Sequence, residues 1–303
     1  MTIADALLDI KEKIGHKFSI LDAEIILAFV LKKDKIFIFT HPETKLTPNQ
    51  TIKFNNLIQR RAKGEPIAYL VGHKEFYGLD FLVNKNVLIP RPETELLVEK
   101  VLEIIKNNPN KKYELIDVGT GSGCIPVAIL KNIQKNKNNL RLPICAVDIS
   151  SQALRVAKKN SKLHEVENKI KFFKSDLLSP FIKNIKSAHS NSINSEELLI
   201  TANLPYLPNK KITARSEEIG LKFEPRKALF AGKDGLKAYR QLFAQLKKIS
   251  ANKKTILCEI GFKQKNGLLK VIRRNFSSHQ TNISFYPDLA GRIRLAMIEL
   301  WNK

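Results

Sequence analysis

The chain has 303 residues, enough for two domains or one large one, and 43% of them are hydrophobic, which suffices to bury a core. The longest unbroken apolar run, Ile25 to Leu31, is too short to cross a bilayer, which excludes a helical membrane protein. The net charge of +23 invites a polyanionic partner, but Lys, Asn and Ile recur throughout, as in KNIQKNKNN from Lys131 to Asn139, and no basic stripe is interleaved with aromatics. Compositional drift accounts for the charge better than a nucleic-acid surface, although a charged partner such as a ribosome-associated protein stays compatible with it.

The opening MTIADALLDIKEK is amphipathic and carries acids early, so it does not read as a secretory signal. Residues 1 to about 70 read as helical. Ile20 to Leu31 has the apolar density of a buried helix. Thr47-Pro48-Asn49-Gln50 supplies an N-cap, a proline at the first helical position and a glutamine three residues after the cap, and Gly64 stands where that helix would end. From Glu75 to Ile89 the period changes: Phe81, Val83, Val87 and Ile89 alternate with polar residues, as in a hairpin. Pro90-Arg91-Pro92 punctuates the chain, and Pro92 can start a helix carrying Leu96, Leu97, Val101, Leu102 and Ile105.

From Tyr113 strands and helices alternate. Candidate strands are 114–118, 144–148, 171–173, 198–202, 255–260, 281–286 and 293–300, with helices over 152–163 and 236–249. Such alternation predicts a mainly parallel sheet covered on both faces, and the last two strands, with no helix between them, predict an antiparallel hairpin at one edge. Lys183 to Glu197 is rich in serine and asparagine and reads as a flexible insertion without chemistry. Cys124, Cys145 and Cys258 form no metal-spaced pair and read as small hydrophobes of a reducing, cytoplasmic setting. No metal site is expected.

Three strand ends carry the candidate chemistry. The first gives Asp117-Val118-Gly119-Thr120-Gly121-Ser122-Gly123, where glycines permit a sharp turn and a close ligand approach. Its spacing is G-x-G-x-G and not the dinucleotide G-x-G-x-x-G, so a pyrophosphate cradle is not the best reading. The second gives Asp148, an acid placed to accept from both hydroxyls of a ribose, or equally to cap the helix that follows. The fourth gives Asn203-Leu204-Pro205-Tyr206. Taken in that order, these features resemble S-adenosylmethionine methyltransferases that alkylate planar amino nitrogens. Such a nitrogen attacks poorly because its lone pair is delocalised, so a site must hold both N–H groups on acceptors. Asn203 offers its side-chain carbonyl, Leu204 its backbone carbonyl, and Tyr206 a ring to stack on the planar group. An ordinary proline turn with a buried tyrosine is the alternative.

The rest of the match is more specific. Arg60-Arg61-Ala62-Lys63-Gly64-Glu65-Pro66, Glu75-Phe76-Tyr77-Gly78, Leu88-Ile89-Pro90-Arg91-Pro92-Glu93-Thr94-Glu95, DVGTGSGCIPVAI, Glu224-Pro225, Gly232-Lys233-Asp234-Gly235 and Glu259-Ile260-Gly261 resemble the HemK/PrmC family of protein-(glutamine-N5) methyltransferases. The resemblance covers nearly the whole chain, except around Lys135 and Ser190. It implies an α/β fold of the class I S-adenosylmethionine-dependent methyltransferases, Rossmann-like, with a seven-stranded mainly parallel sheet. It also implies a helical release-factor-engaging domain over 1–74, a β-hairpin linker over 75–91 and the methyltransferase domain over 92–303. The implied substrate is the glutamine of the Gly-Gly-Gln motif of peptide chain release factors, with S-adenosyl-L-methionine as cofactor and neither membrane nor direct nucleic-acid binding expected. The implied cofactor contacts are Gly119, Thr120, Gly121, Ser122, Gly123, Asp148, Leu177 and Asn203; the substrate contacts are Asn203, Leu204, Pro205 and Tyr206, with Asn203 and Tyr206 catalytic.

Two departures stand out. The family usually writes Asn-Pro-Pro-Tyr, whereas Asn-Leu-Pro-Tyr is common in ribosomal RNA adenine dimethylases, so a nucleic-acid adenine methyltransferase is the main competitor. Pro205 still holds residue 204 extended and keeps its carbonyl available. Where some relatives place an aromatic beside the adenine, this chain has Asp176-Leu177, and leucine packs on a ring but does not stack. A binding protein retaining a methyltransferase scaffold is the non-enzymatic reading, opposed by intact Gly119, Asp148 and Asn203. His16, His41, His73, His164, His189 and His279 read as surface or satisfied histidines, Glu93 and Glu95 as first-turn acids favouring a helix dipole, and Glu259 as an acid capping the turn at Gly261 with a functional role left open.

Overall fold

The computed structural model describes residues 1–14, 19–133, 140–182, 197–209 and 220–301. Most of the insertion expected over Lys183 to Glu197 lies outside them. Two compact units divide the chain: one is Met1–His73 with the 3-10 turn Gly220–Phe223, and the other holds the remaining described residues.

The first unit is helical: α1 (Ile3–Ile14), α2 (Ile20–Leu31), α3 (Lys35–Thr40), α4 (Pro48–Ala62) and α5 (Ile67–Val71). Helix α2 is apolar on nearly all sides, and its Ala23, Ile26, Leu27 and Val30 sit in a core with Ile3, Ala6, Phe54, Leu57 and Ile58. Helix α4 starts on the capping box that its sequence predicts. Gln50 N–H donates to Thr47 Oγ1 at 3.3 Å, and Thr47 N–H donates to Gln50 Oε1 at 2.8 Å. Gly64 follows one residue after the cap Lys63, with φ +91°.

A hairpin follows, β1 (His73–Phe76) and β2 (Leu79–Leu82), in the second unit from Lys74 onward. The second arm is shorter than the alternation predicts. Val83, Val87 and Ile89 are all buried, yet they lie on an irregular segment fastened by Ile89 N–H, which donates to the buried Glu224 at 3.1 Å. Buried alternation alone does not separate a strand from a loop tied down at one end. Beyond the hairpin follow α6 (Glu95–Asn107), β3 (Tyr113–Val118), α7 (Cys124–Asn132), β4 (Ile144–Asp148), α8 (Ser151–Leu163), β5 (Ile170–Lys174), α9 (Ser179–Ile182) and β6 (Glu197–Ala202). Then come α10 (Arg226–Leu229), α11 (Lys237–Leu246), β7 (Lys253–Glu259), α12 (Lys265–Asn275), β8 (Thr281–Pro287) and β9 (Ile293–Trp301).

The seven strands β3 to β9 form one sheet in the order β5-β4-β3-β6-β7-β9-β8. The pairs from β5 to β7 are parallel; β9 runs antiparallel between β7 and the edge strand β8. Strand alternation builds two cores. Ile116, Val118, Leu198, Ile200, Ile256 and Cys258 face α11 and α12, and Leu115, Leu199 and Leu257 face α6 and α7. The strand order reverses at β3, whose neighbours are β4 and β6, so the carboxyl ends of these three strands open the crevice where α/β sheets bind ligands. Among the described residues no helix is long and apolar enough to cross a membrane.

Candidate active site

The glycine loop joins β3 to α7 and is braced by the end of β4. Gly119 and Thr120 N–H groups both donate to Val147 O at 2.9 Å, and Gly121 N–H donates to Asp148 Oδ2 at 2.9 Å. The other carboxylate oxygen of Asp148 accepts from Ser150 N–H at 2.8 Å. Helix α8 is capped by Ser150, whose hydroxyl oxygen accepts from Ala153 N–H at 3.2 Å, so Asp148 is not the cap. Burial pushes the Asp148 carboxyl up against the opposing pull of the Ser150 and Gly121 amides.

The three loop glycines answer to different neighbours. A Cβ on Gly119 would stand 2.9 Å from Leu204 Cδ2, and one on Gly123 would stand 3.1 Å from the Ala157 Cβ of α8. At Gly121, with φ +55°, the nearest atom is Gly119 O at 3.9 Å, so a side chain would point into open space. That space belongs to a cavity of about 480 Å³ lined by Gly119, Thr120, Gly121, Ser122, Asp148, Leu177, Asn203, Leu204 and Pro205, with Arg91 and Thr94 from the segment ahead of α6.

At the end of β6, Asn203 is half-buried and its Nδ2 donates to Thr94 Oγ1 at 3.0 Å. Leu204 is buried in the core that includes Tyr239 and Leu242. Two of the residues singled out in the sequence lie off the cavity wall. Gly123 packs on α8, and Tyr206 turns its hydroxyl to Glu259 while its carbonyl accepts from Gln264 Nε2 at 2.8 Å. The turn at Gly261 is held by Gln264, whose Oε1 accepts Gly261 N–H at 2.9 Å, and not by Glu259.

Comparison with known proteins decides the family. The model for the PrmC N-terminal domain matches residues 12–72, and that for ribosomal protein L11 methyltransferase (PrmA) matches residues 93–190. The release factor glutamine methyltransferase of Clostridium botulinum is 38% identical over 91% of this chain and 90% of its own length. That of Dictyoglomus turgidum is 36% identical over 96% and 94%.

The chain belongs to the release factor glutamine methyltransferase family.

A solved hMettl16 catalytic domain in complex with MAT2A 3'UTR hairpin 1 superimposes with a TM-score of 0.52 over 91% of this chain and 90% of that one; at 15% identity it shows the shared fold alone. The chain thus has the class I methyltransferase fold, and the residues present fit S-adenosylmethionine as the cofactor. Gly121 leaves its side of the cavity open, and each Asp148 oxygen, having accepted one backbone N–H, keeps a further lone pair for a hydroxyl donor. Leu177, with φ +52°, lines the same space and offers an apolar surface.

Several contacts that shape the site are not legible from the sequence. Thr94 donates its hydroxyl to Glu259 Oε2 at 2.6 Å, and both side chains are buried. Burial raises the Glu259 carboxyl, aided by Glu93 and opposed by Thr94, Tyr206 and Arg294. Tyr239, fully buried on α11, donates toward the carbonyls of Ala202 and Glu259 and so fastens the ends of β6 and β7 together. Glu224 receives both Ile89 N–H and the Arg91 guanidinium, which sets the segment entering the cavity. The available signal was the strand-end position of Glu259 and the Thr inside PRPETE; nothing local pairs them.

Proposed function

We infer that the enzyme transfers a methyl group from S-adenosylmethionine to the side-chain amide nitrogen of a glutamine in peptide chain release factors, and that the glutamine is that of the Gly-Gly-Gln motif. The observation that carries this reading is the meeting, in one cavity, of the Gly121 opening and Asp148 with Asn203-Leu204-Pro205. Bound S-adenosylmethionine supplies an electrophilic methyl group on a positively charged sulfur. Asp148 holds the ribose hydroxyls. Asn203 Oδ1 and the Leu204 carbonyl accept the two amide N–H groups, which aims the nitrogen lone pair away from the amide plane. Positioning of this kind is the main contribution that a site can make to so poor a nucleophile. Asn203, Leu204 and Pro205 carry no ionisable group, and the nitrogen needs no strong base because its surplus proton leaves to water after methylation.

The helical unit over residues 1–74 serves in this reading as the docking element for the release factor. Ile36, Phe39 and Ile52 stay 71%, 59% and 60% exposed on its α3 and α4. The linker over 75–91 and the methyltransferase domain over 92–303 present the site. Mass spectrometry of a tryptic peptide from purified release factor, after incubation with enzyme and cofactor, tests the assignment. One methyl group on the motif glutamine, with none on ribosomal RNA adenines, is the expected result. Incorporation into RNA alone would replace this reading with the adenine methyltransferase.

A further inference from the structure

A hydroxyl group has a single proton, and in this enzyme the proton of Thr94 is committed. Strand alternation places Glu259 with Leu257 on the sheet face covered by α6, and Thr94 sits immediately before α6. Thr94 occupies the N-cap position, yet its side chain makes no capping hydrogen bond. It donates instead to Glu259 Oε2 at 2.6 Å, a carboxyl that Tyr206 also engages. The Thr94 oxygen therefore presents only lone pairs toward Asn203. The Asn203 amide must meet it with the NH2 end, which it does at 3.0 Å. Because the amide is planar, this contact directs Oδ1 away from Thr94. Reversing the amide would set oxygen against oxygen and forfeit the hydrogen bond.

We propose that Thr94 and Glu259 are positioning residues for methyl transfer: Glu259 fixes the Thr94 hydroxyl as an acceptor toward Asn203, and Thr94 thereby fixes Asn203 Oδ1 as the acceptor for the substrate amide. The proposal rests on the glutamine-methylation reading above. Glu259 lies off the cavity wall, and Thr94, which borders it, acts through Asn203. Both act on the orientation of an amide that, left free, populates the reversed orientation as well, with NH2 set against the substrate's own N–H groups.

The test uses the full-length enzyme. Thr94→Val keeps the shape and removes the acceptor, and it lowers kcat toward release factor by about 10- to 100-fold while KM and calorimetric S-adenosylmethionine affinity stay near wild type. Thr94→Ser restores the hydroxyl, and Glu259→Gln keeps an oxygen that accepts from it; each retains the rate to within about threefold. In an Asn203→Ala background Thr94→Val has no further effect, because Thr94 acts through Asn203. The Asn203 side-chain NH2 resonances, assigned by their loss in Asn203→Ala, shift in Thr94→Val and hold in Thr94→Ser; this readout needs no substrate. Multiplicative losses in the double variant, or unshifted resonances in Thr94→Val, overturn the proposal. A wild-type enzyme that leaves release factor unmethylated overturns the substrate assignment instead, and the resonances still decide the amide orientation.

Discussion

The backbone N–H of Gly121 donates to Asp148 Oδ2 at 2.9 Å, tying the loop after β3 to the carboxylate at the end of β4. The two residues stand side by side because β3 and β4 pair in parallel, with Val118 opposite Val147, so both strands discharge their chains at the same edge. One carboxylate thus shapes the loop and faces the cavity that the loop borders.

Asp148→Ala removes both functions. S-adenosylmethionine affinity, measured by calorimetry, falls by about 10- to 100-fold, since hydrogen bonds to a charged acceptor at about 1.5–3 kcal/mol each are lost and water replaces part of them. The wild-type affinity also depends on pH. Burial holds the Asp148 carboxyl above the usual aspartate range, so affinity is complete at neutral pH and declines on acidification earlier than an ordinary aspartate would dictate. An affinity flat from neutral to mildly acidic pH would separate Asp148 from cofactor binding.

Gly121 and Gly123 differ in what substitution does. Gly121→Val projects into the cavity and abolishes cofactor binding, with an added backbone cost at φ +55°. Gly123→Ala drives a methyl group against Ala157 of α8, 3.1 Å from its Cβ and 3.2 Å from its Cα, and lowers thermal stability. Calorimetry and thermal unfolding on the two variants show the reversed pattern if the loop is read wrongly.

Asp117 predicts a pH-dependent stability. It is fully buried on β3, opposite Thr201 of β6, whose hydroxyl donates to its Oδ1 at 2.7 Å; Oδ2 has no hydrogen-bond partner among the described residues. Burial pushes its carboxyl up to about 6, against the Thr120 and Thr201 hydroxyls, which favour the charged form. The folded state holds this proton more tightly than the unfolded state, whose aspartate titrates near about 3.9. Stability therefore declines as pH rises between about 4 and 6 and is flat above that window, as far as this group is concerned. Asp117→Asn removes that slope, and denaturant titrations across the window, compared with wild type, measure the difference.

Much of this architecture is legible in the sequence because it is written in local periodicity. The seven strands fall within two residues of the positions their apolar runs mark, and Asp148 and Asn203 are found by asking which residues end a strand. The antiparallel edge follows from two late strands with no helix between them, although its internal order, β9 inside β8, does not. What stays hidden is side-chain direction across long separations. Glu259 and Thr94 lie 165 positions apart, and only the packing of α6 on the sheet joins them. For the same reason Tyr206 reads as a stacking ring, whereas its hydroxyl is drawn to a buried carboxyl.

That contact alters the expected behaviour of Tyr206. Were it only a stacking surface, Tyr206→Phe would be silent. The Tyr206 hydroxyl meets Glu259, a fully buried acid, and removing it strips one partner from that group. A destabilisation of about 1–3 kcal/mol in denaturant unfolding is expected, with S-adenosylmethionine affinity unchanged. Wild-type stability would mean that Glu259 is satisfied by Thr94 alone.

Asn203 carries the sharpest prediction. Its Nδ2 is spent on Thr94, so in the proposed reading its catalytic value resides in Oδ1, one acceptor for one N–H of the substrate amide. Asn203→Ala leaves the Gly119–Ser122 loop and Asp148 in place, and cofactor binding stays within a few-fold of wild type. The rate of methyl transfer under saturating cofactor falls by about 100-fold or more, because a delocalised nitrogen gains its reactivity from being held in the right orientation. The loss appears in kcat and not in KM, since the release factor makes its docking contacts elsewhere in this reading. Single-turnover rates separate the two constants. An Asn203→Ala enzyme that transfers methyl at the wild-type rate would reduce Asn203 to a turn residue and move the acceptor role to the Leu204 carbonyl alone.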